Sequence, residues 1–553
     1  MKSHAAISLH VTTREDSRGA FALMLHAHIP WCKKSGVWPA GEEWLFEAML
    51  ECYVPLLSVL RALKVDGVPV RLHWGVVPVL AEQLADDYMK GRFCEYAEGR
   101  IRAAEADVQR FGANPERLSV ARYWLETLDR TYEAYQKHFY RDVLGTLRWL
   151  ADEGVVEPVT SAATHGFLPL LERDSSVHAQ VHLGVLTHRR VFGRRPAGFW
   201  LPECAYRPEE TGPDGKLRAP VDAWLAAEGV KYFFVESSAI ASARVLDRPG
   251  HSPATSRGYR LPSGVCAFGR DPFTSEQVWS PRKGYPGDPW YLDFHAKDHE
   301  SGLRYWRVTG SDDKATYSPR EAAERTEAHA RHFVELVAGR VAAAGHPPGD
   351  VPPVVVAPYD CELFGHWWHE GPRWVELVFR LLADRPWSER VEPVHLSSFV
   401  GARVGEFFTV ELGRTSWGLG GDFRVWKNPE HGWIWPYVNE CSAEFERVLA
   451  DVRRSGRQLT GRDARVLRQC GRELLLMQGS DWPFLLFTEQ AKEYANQRFH
   501  KHHQAFRKLV WAAGDLDQPG RLSDSELATL EDVDSPWPDL DFWLFEEREG
   551  PPA

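Results

Sequence analysis

The chain has 553 residues, 44% apolar and 26% charged, with a formal charge of -11, a size that allows about two to four domains with large cores. That mild acidity argues against nucleic acid or an anionic membrane as the main partner, and no stretch approaches the ~20 apolar residues of a membrane span. The eight cysteines form no C-x-x-C pair and the leader MKSHAAISLHVTTREDSRG lacks a signal-peptide core, so reduced thiols and a cytoplasmic location are expected. The 23 tryptophans, 17 tyrosines and 27 phenylalanines tilt the balance towards carbohydrate, because aromatic faces suit the C–H faces of sugar rings.

After the leader, Ala20 to Ile29 reads as a strand that puts His26 and His28 on one face, with Pro30 ending it. Gly41 to Lys64 reads as a helix and Val70 to Val77 as a strand; a charged helical stretch follows over 80–150. Val155 to Thr160 is the next strand, leading into SAATHGFLPLL with His165. A helix to about residue 190 then precedes the run Phe199-Trp200-Leu201-Pro202, which ends on Glu203. Tyr206 to Ala219 is a polar surface excursion, Val221 to Gly229 a helix and Val230 to Val235 a strand. Glu236 to Pro289 reads as one long irregular region, and its Arg270, Trp279 and Gly287 suggest a substrate-facing wall. Ser318 to Ala344 is a helix leading to Val354-Val355-Val356-Ala357, which reaches Asp360; a helix over 372–384 and a strand from Val391 to His395 follow. About seven strands alternating with helices indicate a parallel sheet, most simply a barrel.

From about residue 400 the texture changes. Ser416 to Pro436 is a Gly- and Trp-rich loop, and Ser442 to Ser455, Gly461 to Gln478 and Thr488 to Ala513 carry helical spacing, as in an up-and-down helical domain. The expected organisation is a polar leader (1–19), an α/β barrel (20–410) with insertions near 206–230 and 236–290, a helical domain (411–517) completing the cleft, and an acidic tail (518–553), surface-laid or frayed.

Glu203 and Asp360 each stand just past an apolar run, the position at which barrels bind ligands. Two such acids among aromatics suggest paired-carboxylate chemistry on a sugar; the alternative is a pair of acids that cap helices or bind arginines.

At these motifs the chain resembles a known family. HAHIP (from His26), ATHGFLPLL (from Ala163), GFWLPECAY (from Gly198), APYDCELFGHWW (from Ala357) and SWGLGGDFRVW (from Ser416) occur in the order of the family 57 glycoside hydrolases. The version here, with LLMQGSDWPFLL from Leu475, is similar to the 1,4-α-glucan branching enzymes of that family. The resemblance implies an incomplete (β/α)7 barrel with a small inserted element and a C-terminal helical domain. It gives Glu203 the place of the nucleophile and Asp360 that of the proton donor in a retaining reaction, with an α-1,4-glucan such as amylose or glycogen as substrate and a sugar 6-hydroxyl as acceptor. It makes Arg270, Gly287, Trp417, Asp481 and Gln490 glucan contacts, Trp279 and Trp426 further stacking walls, and His26, His28 and His165 hydrogen-bonders to sugar hydroxyls, with no metal or other cofactor. A monomer without nucleic-acid or membrane partners is expected.

Three rivals stand beside this. A 4-α-glucanotransferase or α-amylase of the same family would make no branches. A metal-dependent deacetylase or mannosidase would use His26, His28 and an acid as ligands, since H-x-H at a strand end is also a metal pattern. A non-catalytic glucan-binding protein would have lost the acids that are present here. One departure from the subgroup bears on the balance of transfer and hydrolysis: the loop after VKYFFV, which carries a tyrosine there, runs ESSAIASARVLDRPG here, with no tyrosine until Tyr259.

Overall fold

The computed structural model describes residues 19–212, 215–280, 283–346, 351–514 and 521–552; the leader expected over 1–19 lies almost wholly outside them. Seven parallel strands form the barrel: β1 (Ala20–Ala27), β2 (Leu72–Val76), β3 (Val156–Ser161), β4 (Gly198–Trp200), β5 (Tyr232–Val235), β6 (Cys266–Gly269) and β7 (Val354–Asp360). They follow one another in the order β7-β1-β2-β3-β4-β5-β6. β1 is buried along its whole length and β7 up to its last residue. Covered on both faces, these strands need no polar alternation, which is why they appear as continuous apolar runs. The backbone N–H of Asp271, just past β6, donates to the Val356 carbonyl at 2.8 Å, so the gap between β6 and β7 is narrow. The fold is the incomplete (β/α)7 barrel that the motifs implied.

The seventh strand is not the expected one. Val391 to His395 contributes only Glu392–Pro393, paired beside the start of β1. The missing strand, β6, lies inside the region read as irregular, with an antiparallel partner Gly258–Arg260 and the helix Pro272–Trp279. Its four residues, CAFG, include two weak strand formers, so packing and not propensity makes it a strand.

The helix predicted from Gly41 has three parts: Glu42–Glu47, a π-helical turn Ala48–Tyr53, and Val54–Val65. The stretch over 80–150 divides into helices Pro78–Ala85, Asp87–Arg110, Pro115–Glu133 and Val143–Asp152. In the C-terminal region the helices are Ile434–Ser455, Gly461–Met477, Asp481–Thr488 and Lys492–Ala513.

The tail is not frayed. Trp537, Leu540, Phe542 and Phe545 are buried, and Arg472 donates to the carbonyls of Trp537 and Pro538 at 3.0 and 2.9 Å. Its acids alternate with apolar residues that dock on the helices, so acidic composition conceals an anchoring segment. The eight cysteines are buried and unpaired, and among the described residues no helix is long and apolar enough to cross a membrane.

Candidate active site

Asp360 is the last residue of β7 and lies in register with His26 on β1. Glu203 stands in the turn after β4 with φ 63° and ψ 23°. Cys204 and His165 also have positive φ, 49° and 55°. Left-handed backbone at residues other than glycine is costly and collects at sites that need a side chain aimed in one direction.

Two donors hold the Glu203 carboxylate. Trp417 Nε1 donates to Oε2 at 2.7 Å and Ser480 Oγ to Oε1 at 2.9 Å. His165 Nδ1 lies 2.8 Å from Ser480 Oγ, and His165 Nε2 lies 3.0 Å from His26 Nε2. Since Ser480 spends its one proton on Glu203, His165 must donate through Nδ1, and His26 then donates through Nε2. Burial holds His26 and His165 far below the usual imidazole range, helped by the neighbouring histidines, so both are neutral, as this chain of bonds requires. Beside them His28 meets Asp481 at 2.8 Å. Burial opposes its charge, but Asp481 outweighs that and raises its pKa. The Nδ1 atoms of His26 and His28 are buried without a protein partner.

Both acids are raised in proton affinity, for partly different reasons. Burial raises Glu203 to about 7, against the pull of the Trp417 and Ser480 donors. Asp360 is raised well above the carboxylate range by burial, then by the charges of Glu362 and Glu203, with Arg270 opposing. Burial thus favours the protonated form of both acids, but Glu203 carries two donors that stabilise its anion, whereas the negative neighbours of Asp360 reinforce its hold on the proton.

Glu362 and Tyr53 are absent from the sequence-based assignment. The Tyr53 hydroxyl donates to Glu362 Oε1, which also accepts the His28 backbone N–H at 3.0 Å. Tyr53 ends the π-helical turn, and its neighbours grip the same loop: Cys52 Sγ donates to the Cys361 carbonyl at 2.9 Å, and Glu51 binds His366 Nδ1 at 2.7 Å. Gly365, with φ 117°, lies so close beneath that turn that a Cβ would stand 1.9 Å from the Glu51 carbonyl oxygen. Glu362 had a signal, two residues beyond Asp360, and so had Ser480, directly before Asp481; nothing in the sequence marks Tyr53 or Glu236, which pairs with Arg270 at 2.5 Å.

Of the remaining candidates, Arg270 lies over the Trp417 ring at 5.6 Å. Trp279 is half-buried, 6.3 Å from Trp367, which is 40% exposed. Gly287 is exposed in a turn whose neighbours Tyr285 and Asp288 bind the Pro319–Ala344 helix through His332 and Arg325, and Gln490 is exposed just past the Asp481–Thr488 helix. Trp426 requires a correction: it is 1% exposed and stacked on Phe167 at 4.7 Å. A ring enclosed in the core offers no face to a sugar.

Metal ligation fits poorly. His28, His165 and Asp481 are close together, but the two imidazoles stack at 4.2 Å with planes 25° apart. Lone pairs lying in stacked planes do not converge on one ion. In the second cluster, Glu473, His502 and Asp534, the Arg498 guanidinium lies 2.9 Å from His502 Nε2, so a cation already serves that site.

Sequence and structure comparisons identify the family. The model of glycosyl hydrolase family 57 matches residues 22–399, and the chain belongs to that family. A second model, the C-terminal region of 1,4-alpha-glucan branching enzymes, matches residues 442–545. The chain is 41% identical over 538 residues to a 1,4-alpha-glucan branching enzyme of Thermococcus kodakarensis, covering 94% of this chain and 77% of that protein. The crystal structure of a family 57 branching enzyme from that archaeon superposes with a TM-score of 0.88 at 39% identity, covering 97% and 98% of the two chains. An alpha-amylase of Thermotoga maritima superposes with a TM-score of 0.81 at 30% identity, covering 96% and 100%.

Proposed function

We propose that the protein is a 1,4-α-glucan branching enzyme acting by retaining double displacement. The different settings of the two acids, with two hydrogen-bond donors on the Glu203 carboxylate and negative neighbours beside Asp360, carry the mechanism; likeness to branching enzymes in both the barrel and the 442–545 region favours branching over the other family activities. Ionised Glu203 attacks the anomeric carbon while Asp360 protonates the leaving glycosidic oxygen, giving a covalent glycosyl-enzyme. Asp360, now a carboxylate, takes the proton of an incoming 6-hydroxyl, whose oxygen displaces Glu203 and forms the α-1,6 bond with retained configuration. His26, His28, His165, Arg270, Trp417, Asp481 and Trp279 would grip the glucan, with Gly287 and Gln490 further out.

The reading includes glycogen synthesis in the cytoplasm by a monomer, with the helical region closing one wall of a barrel-borne cleft. Hydrolysis is the second reading, favoured by one observation. The loop after β5 has no tyrosine before Tyr259, which is buried and accepts the Ala254 N–H at 2.8 Å, so it is committed to the fold.

Incubation with unbranched amylose decides, following α-1,6 linkages by proton NMR together with reducing ends. Branching predicts α-1,6 signal with few new ends, abolished in Glu203→Gln and Asp360→Asn and unaffected by a chelator. Reducing ends without α-1,6 signal would make it a hydrolase; full activity in either variant would remove the acid pair from the mechanism.

A further inference from the structure

The helical region carries a stripe of accessible aromatic rings leading away from the acids. It starts on the Asp481–Thr488 helix, whose first residue pairs with His28. Phe484 follows one step of three residues on, about 4.5 Å along the axis, and Phe487 a second, so each ring neighbours the one before it while the row winds round the helix. They are 38% and 37% exposed. The helix ends at Thr488, and the helix Lys492–Ala513 that follows packs back against it. On this second helix His500 stacks on Trp433 with centroids 5.3 Å apart and planes within 11°. One turn on, Tyr437, 41% exposed, meets His503 at 4.9 Å and Trp433 at 6.0 Å.

Trp433 and Tyr437 are held in place before any ligand arrives. Trp433 is braced edge-on by Phe499 at 5.3 Å as well as by His500, so little side-chain freedom remains to be lost on binding. Flat apolar faces alternating with imidazoles match a sugar chain, which alternates C–H faces with hydroxyls. A bilayer or an apolar protein partner would need contiguous aliphatic area, whereas this stripe is interrupted by the Glu489–Lys492 ion pair at 2.9 Å.

We propose that Phe484, Phe487, Trp433 and Tyr437 form an accessory binding surface for an α-1,4-glucan chain, continuous with the Asp481 end of the cleft and engaged by long chains only. The proposal rests on the glucan reading above and adds to it a surface that measures substrate length. A short oligosaccharide fills the cleft without reaching the stripe; amylose gains the extra contacts.

Binding in the inactive Glu203→Gln protein separates the two ideas. Affinity electrophoresis in amylose and titration with maltoheptaose are run on that parent and on Phe484→Ala/Phe487→Ala and Tyr437→Ser made in it. The expected result is amylose binding weakened about fivefold or more, maltoheptaose binding unchanged, and an unchanged melting midpoint. Tyr437→Trp should retain amylose affinity where Tyr437→Ser loses it, which a general loss of folding would not produce. Unaltered amylose binding in the variants would overturn the proposal, as would equal weakening for maltoheptaose, because the rings would then belong to the cleft. Absence of amylose binding by the parent would remove the glucan reading itself.

Discussion

Trp417 holds Glu203 at both ends: its indole N–H donates to the carboxylate at 2.7 Å and its backbone N–H to the Glu203 carbonyl at 2.9 Å. One residue of the Gly- and Trp-rich loop thus fixes the strained turn and aims the acid it carries.

Trp417→Phe keeps the ring and the backbone bond but removes the donor that stabilises the ionised carboxylate. The Glu203 pKa should rise, moving the acidic limb of the pH profile of kcat/KM upwards. A charge-assisted hydrogen bond is worth ~1.5–3 kcal/mol, so kcat/KM at neutral pH should fall by about 10- to 100-fold. A pH–rate profile on amylose checks both.

Glu362→Gln removes a negative neighbour that helps Asp360 hold its proton. The Asp360 pKa should drop, drawing the basic limb of the profile to lower pH, while Tyr53 and the His28 N–H retain a hydrogen-bond partner. An unmoved basic limb would separate Glu362 from the proton donor.

Glu203→Gln should stabilise the fold above mid-acidic pH. The folded pKa of about 7 lies above the ordinary value, so the folded state binds the proton more tightly than the unfolded chain. That contribution is fully present below the unfolded pKa and is lost as pH rises through about 7. The glutamine variant escapes the loss: its advantage is absent near pH 4 and grows to the order of 3 kcal/mol by pH 8. Denaturant melts at the two pH values measure it.

Arg498→Met should strip the cation from a buried network. Arg498 Nη2 lies 2.9 Å from His502 and 3.4 Å from Asp534, and Glu473 binds His502 at 2.7 Å. Removing one partner of such a network costs about 3–5 kcal/mol, so chemical unfolding should shift to clearly lower denaturant.

What was legible in the sequence follows from how locally each feature is encoded. The strands at Glu203 and Asp360 are apolar runs that announce themselves, and so are the helices of the C-terminal region. β6 is too short and too poor in strand formers to be seen, and the tail conceals its anchors among acids. The contacts that set the acids are the least local of all: Ser480 meets Glu203 across 277 residues and Tyr53 meets Glu362 across 309. No spacing rule spans such distances, and Trp426 was misplaced because a Gly-rich setting does not reveal which rings are enclosed.

Both side-chain donors to Glu203, Trp417 and Ser480, come from beyond residue 410. A fragment ending there would contain both acids and the seven barrel strands, yet its Glu203 would have neither donor. Activity is therefore indivisible along this chain: the barrel brings the acids together, and the far end of the polypeptide decides when one of them becomes an anion.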